Sequence, residues 1–154
     1  MNYSKVGDAK SVYENVAAKA YSFDISYHRS LVPLKIVVNF KSQLNYLAVD
    51  KADYIDETGA AYSFENNSYM YYGRLSVRPG FVKNKLLKRL EFLYRYNYAN
   101  YAKDALWGGV TKRNDIGISY WLSLRTGLRI AYEATETTGK EMDDAILVRF
   151  VTGF

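Results

Sequence analysis

The sequence contains no cysteine, which removes disulfide frameworks and thiolate metal sites from consideration. It has one histidine, His28, with no cluster of acids or other bases near it in the sequence. A proton-shuttling site needs a base within about 3 Å of its partner, and no such constellation is visible. No metal-ligand spacing, Gly-rich phosphate loop or nucleophile motif occurs either. The sequence therefore reads as that of a non-enzyme without cofactor or metal. Apolar runs of about eighteen residues or more are also missing, so no helix of this chain is expected to cross a membrane. A spanning strand is not excluded, because it needs only about nine to eleven alternating residues.

What is abundant is tyrosine. The chain has 16 Tyr and 7 Phe against only 2 Pro in 154 residues, with a net charge of +5 and a pI of about 9.2. The basic charge is dispersed and interleaved with acids, which argues against a nucleic-acid surface. Apolar residues recur at period two, the spacing that puts them on one face of a strand. The closing residues carry this most clearly. Ile116, Ile118, Tyr120 and Leu122 are apolar, with the polar or small Asp115, Gly117 and Ser119 between them; Leu128, Ile130 and Tyr132 alternate with Gly127, Arg129 and Glu133, and Ile146, Val148, Phe150 and Phe154 alternate with Leu147, Arg149, Val151 and Gly153.

The same reading predicts four earlier strands. They carry Tyr21, Phe23, Ile25 and Tyr27; Leu34 to Tyr46; Tyr69 to Phe81; and Leu90 to Tyr98. Residues 1–18 have no clean period and read as a loop or tail. The acidic segment 47–67 and the segment 102–113, with Trp107-Gly108-Gly109, read as loops, the first as a solvated loop rather than a divalent-cation site. A tight turn is expected around Leu122 and Ser123. The result is an all-β chain of about seven antiparallel up-and-down strands over 19–154, a partial barrel.

The face opposite the apolar one is predicted to carry the basic residues Lys35, Lys41, Arg74, Arg78, Arg89, Arg95, Arg125, Arg129 and Arg149. Facing the same way are the acids Asp24, Glu91, Asp115 and Glu133. On the apolar face, Tyr21, Tyr27, Tyr46, Tyr69, Tyr71, Tyr96, Tyr98 and Tyr132 lie mostly toward strand ends, as amphipathic rings do at a membrane interface. No charge falls in the middle of that face. This is the pattern of a transmembrane β-barrel with a basic, water-facing wall that would favour anions. A soluble barrel with its apolar face inside would alternate in the same way.

The end of the chain, with Val148, Phe150 and Phe154 at twos, resembles the C-terminal assembly signal of bacterial outer-membrane barrels. The run from Gly73-Arg74-Leu75-Ser76-Val77-Arg78-Pro79-Gly80-Phe81 through Leu90-Glu91-Phe92 to Arg95-Tyr96 resembles the C-terminal part of phosphate-selective porins of the O and P type. So do Trp107-Gly108-Gly109, Asp115-Ile116-Gly117, Tyr120-Trp121 and Tyr132-Glu133, a likeness over roughly residues 68 to 154. It implies a sixteen-stranded pore of the bacterial outer membrane that passes small anions such as phosphate. The partners it implies are outer-membrane lipid, the barrel assembly machinery, and further N-terminal strands or another copy of the chain. The first eight residues contain no apolar core, so the sequence is expected to be a fragment without a signal peptide. A second reading is a small complete outer-membrane barrel with a structural or binding role, if residues 3–14 supply an eighth strand.

Overall fold

Alternation at period two, with tyrosine, phenylalanine and branched residues at the apolar positions, suits a pleated surface on which such side chains pack against their cross-strand neighbours. The structure is a computed structural model, and it describes residues 2–6, 16–55, 58–103, 105 and 108–152. It contains eight strands: β1 (Asn2–Val6), β2 (Val16–Leu31), β3 (Ile36–Ile55), β4 (Ala61–Pro79), β5 (Leu90–Tyr101), β6 (Gly109–Trp121), β7 (Thr126–Thr137) and β8 (Asp143–Thr152). Each pairs antiparallel with its neighbours in the chain, in sequence order, in one sheet. Among the described residues β1 and β8 do not pair with each other. The architecture is thus an open up-and-down sheet, a partial barrel.

The register brings like residues together across the sheet. Tyr27, Phe40, Leu75, Tyr94, Ile116, Tyr132 and Ile146 stand opposite one another from β2 to β8. One residue along, on the other face, the row is Ser26, Lys41, Arg74, Arg95, Asp115, Glu133 and Ala145. The two rows show the expected separation of apolar from charged face.

Burial then distinguishes the faces in an unusual sense. The exposed residues include Phe23, Ile116, Ile130, Ile146, Val148 and Phe150, whereas Ser76, Glu91, Asp115 and Ser119 are buried. Among the described residues no second layer covers the sheet, so a side chain is buried only by neighbours on its own face. Crowding of that kind marks the charged face as the concave one, and it leaves the apolar face bare.

Three segments differ from the expectation. Residues 1–18 include β1 and the start of β2, where apolar residues are too sparse to show a period but the backbone still finds a ladder partner, Val6 opposite Val16. The acidic segment 47–67 is not a loop. β3 and β4 continue through it as a hairpin, with a register irregularity between Val49 and Ala52 and a turn at Thr58 and Gly59. Ladder hydrogen bonds do not require an apolar face, so a polar hairpin carries no alternation for a sequence reading to find. For the same reason β6 begins at Gly109, inside the segment 102–113, because Thr111, Lys112, Arg113 and Asn114 are polar on both faces. The tight turn lies at Leu122–Arg125, as Leu122 and Ser123 N–H groups both donate to the Thr126 carbonyl at 2.8 and 3.1 Å.

Gly117 sits in the middle of the charged face, opposite Leu93 and Ala131. A Cβ there would lie 3.0 Å from both the Ala131 Cβ and the Ile130 carbonyl oxygen. Backbone in a central strand cannot move aside cheaply. Gly117→Val is expected to cost about 1–3 kcal/mol, read as a lower midpoint in chemical denaturation; an unchanged midpoint would contradict the packing described.

Candidate functional site

Strand alternation alone puts Arg74 and Arg78 of β4, Glu91 and Arg95 of β5, Asp115 of β6, Arg129 and Glu133 of β7 and Arg149 of β8 on one face. Side-chain reach does the rest. Glu91 accepts from Arg74 at 3.3 Å, from Arg78 at 3.0 Å and from the Trp121 indole Nε1 at 2.7 Å. The Arg78 guanidinium also lies 5.1 Å from the centre of the Trp121 ring, within cation–π range. Asp115 accepts from Arg95 and, at 3.1 Å, from Arg113. Glu133 accepts from Arg113 and, at 3.4 Å, from Arg149. Arg129 donates to the Ser119 hydroxyl at 2.8 Å.

A common design runs through these contacts. Each of the three carboxylates is shared by two guanidiniums, so the face carries more positive than negative charge. The acids lie low: the side chains of Glu91 and Asp115 are only 7% and 4% exposed. The guanidiniums lie over them and are 27–45% exposed. The small side chains of Ser76, Ser119 and Ala131 form the floor on which these long ones rest.

The charge is also uneven across the sheet. All these pairs belong to β4–β8. The β2–β3 side carries a neutral network instead, in which the Ser22 hydroxyl donates to Asn45 Oδ1 at 2.9 Å and Gln43 bonds both. Lys41 and Asp24 share this side, with His28 nearer the turn end. Between the halves lies a cleft of about 350 Å³, lined by Asn45, Met70, Tyr72, Arg95, Asn97 and Arg113 among others.

Three residues expected on the charged face of a strand lie in links between strands instead. Lys35 ends a 3-10 turn with a left-handed backbone, φ 55°, between β2 and β3. Arg89 belongs to the short 3-10 turn Leu87–Arg89 ahead of β5. Arg125 lies in the turn Leu122–Arg125, where its N–H bonds to the Ser123 hydroxyl at 3.2 Å. In each case the alternating pattern runs on past the last ladder pair, so parity counts one residue too many. Val148 and Phe150 lie on the apolar face and are exposed; Phe154 is outside the described residues. Conversely, Arg113 and Trp121 belong to the site and were not anticipated. Arg113 stood in a presumed loop, and a tryptophan at a strand end gives no hint that its N–H will meet a carboxylate.

Comparison with family models, curated proteins and solved structures gives no match.

Removing a carboxylate that two guanidiniums share leaves both without an acceptor. Glu91→Ala is expected to destabilise the fold by about 2–3 kcal/mol, discounted from the cost of a fully buried pair because the guanidiniums are partly solvated. The exposed Lys112–Glu136 pair, at 3.4 Å, supplies the control. Lys112→Ala should change the denaturation midpoint by no more than about 0.5 kcal/mol. Equal effects of the two substitutions would contradict the buried role assigned to Glu91.

Proposed function

We propose that this chain is part of the wall of a water-filled, anion-preferring diffusion channel in a bacterial outer membrane. Its apolar face meets lipid and its guanidinium face meets the water of the pore. The observation that carries this is the layering of charge: carboxylates buried at the floor, guanidiniums exposed above them. A solute passing over such a wall meets cations first, and low-dielectric walls focus that field.

The apolar face supports the lipid assignment. On β3, outward positions free of charge run from Ile36 to Tyr46. Ten residue steps at about 3.3 Å make about 33 Å, which a tilt of about 40° reduces to about 25 Å, the height of an outer-membrane apolar band. Tyrosines gather at one edge of that band. Tyr21 and Tyr46 lie 6.1 Å apart between ring centres, Tyr69 stacks on Tyr98 at 5.5 Å, and Tyr71 and Tyr96 lie 6.2 Å apart. A soluble barrel would instead bury this face, and here it is the exposed one.

In hydrocarbon an open sheet is costly, since each unpaired backbone group loses several kcal/mol. The free edges of β1 and β8 therefore need further strands, either from more of the same barrel or from another copy of the chain. Val148 and Phe150 of β8 would be offered to the barrel assembly machinery. The likeness of residues 68 to 154 to phosphate-selective porins makes phosphate the implied solute.

The test is a reversal potential. In a salt gradient across a planar bilayer, the assembled pore should prefer anions. Replacing Arg74, Arg95 and Arg149 together with Ser should shift the potential toward cations, while Lys112→Ser on the outer face should leave it unchanged. A cation-preferring pore, or a triple variant with the original potential, would overturn the reading.

A further inference from the structure

The two ends of the sheet differ sharply in charge. The acids Asp50, Asp53, Glu65, Glu136, Glu141, Asp143 and Asp144 all lie toward the end that bears the turns at 58–60 and 138–142. The other end bears the links 32–35, 80–89 and 122–125, and these contain no acid at all. Each combines cations with protruding apolar side chains. The first has Val32, Leu34 and Lys35; the second has Phe81, Leu86 and Leu87 with Lys83, Lys85, Lys88 and Arg89; the third has Leu122, Leu124 and Arg125. All these apolar side chains are exposed, Leu124 to 99%.

The exposure is built in. The Asn84 side-chain oxygen accepts from the Leu86 and Leu87 N–H groups at 2.9 and 3.3 Å, which fixes the turn that holds those leucines outward. The Ser123 hydroxyl accepts from the Arg125 and Thr126 N–H groups at 3.2 and 3.1 Å, fixing Leu124 likewise. None of the six cations in these links has a carboxylate partner among the described residues.

From this we infer that the turn end of the sheet binds anionic phospholipid headgroups of the adjoining leaflet, an inference that rests on the membrane reading above. Three features select this occupant. The links begin where the apolar band ends, at Leu31, Ile36, Leu90 and Tyr120, which is headgroup depth. They are spaced two strands apart, about 10 Å for each step at the usual strand separation, so they form a rim that a flat layer touches at every point. Leucine and valine beside lysine fit a layer that is anionic at its surface and apolar beneath, with the lysine stems lying along the apolar part.

The experiment reconstitutes the full chain in phosphatidylcholine vesicles containing a minority of phosphatidylglycerol, with a spin label on one lipid or the other. Spin-labelled phosphatidylglycerol should be enriched in the motionally restricted boundary fraction, by about tenfold if one or two basic residues contact each headgroup. High salt should abolish the enrichment, and so should the variant Lys83→Ser, Lys85→Ser, Lys88→Ser, Arg125→Ser. Insertion without lipid preference, or a preference the variant retains, would overturn this inference alone. So would a variant that alters only the current through the pore, which would assign these cations to the channel mouth. Failure of the chain to insert at all would overturn both this inference and the membrane reading on which it rests.

Discussion

Three shared carboxylates hold the charged face of this sheet together. Arginine side chains crowded on one concave surface repel one another, and a carboxylate between each pair turns that repulsion into attraction. Glu91, Asp115 and Glu133 each accept from two guanidiniums that belong to different strands or to different rows of one strand. They therefore tie β4, β5, β6, β7 and β8 together by side chains as well as by the backbone ladder. The arrangement depends on small residues beneath it. A larger side chain at Ser76, Gly117, Ser119 or Ala131 would lift the long side chains off the floor and expose the acids along with the bases.

The same constraint explains why the sheet has its apolar residues outside. A face that must hold six guanidiniums, three carboxylates and an indole N–H in contact has no room for an apolar core, and the alternation of a strand then sends every second residue to the opposite surface. Phe92, Tyr94, Ile116, Ile118, Ile130 and Val148 follow from that geometry. In water such a surface would be a liability for aggregation, as would the unpaired strand edges. In a bilayer the surface is what the solvent demands, and only the edges still require partners.

Much of this was legible in the sequence because a period of two is a strong signal wherever one face is apolar and the other is not. The strands containing Tyr21–Tyr27, Phe40–Tyr46, Phe92–Tyr98 and Ile116–Tyr120 were clear on that ground, and so was the facing of Arg74, Arg95, Arg129 and Arg149. The signal fades where both faces are polar. That is why the β3–β4 hairpin beyond Val49 and the start of β6 were read as loops, and why Arg113 was overlooked. Parity also fails to mark where a ladder stops, so Lys35, Arg89 and Arg125 share the parity of the charged face although they belong to turns. Nor does periodicity reveal which acid meets which base: Glu91 was one of four candidate acids, and only the registers of β4 with β5 and of β5 with β6 bring it to Arg78 and Trp121.

The central claim is that the apolar face meets lipid and the guanidinium face meets water. Depth-resolved fluorescence quenching addresses it directly. Single tryptophan substitutions at Phe92, Ile118 and Ile130, in a background with Trp107 and Trp121 replaced by Phe, should be quenched by brominated lipid acyl chains and not by aqueous iodide. Tryptophan at Gln43, Asn97 and Thr135 of the opposite face should show the reverse. Quenching by iodide at the first three positions, with protection from lipid, would contradict the account.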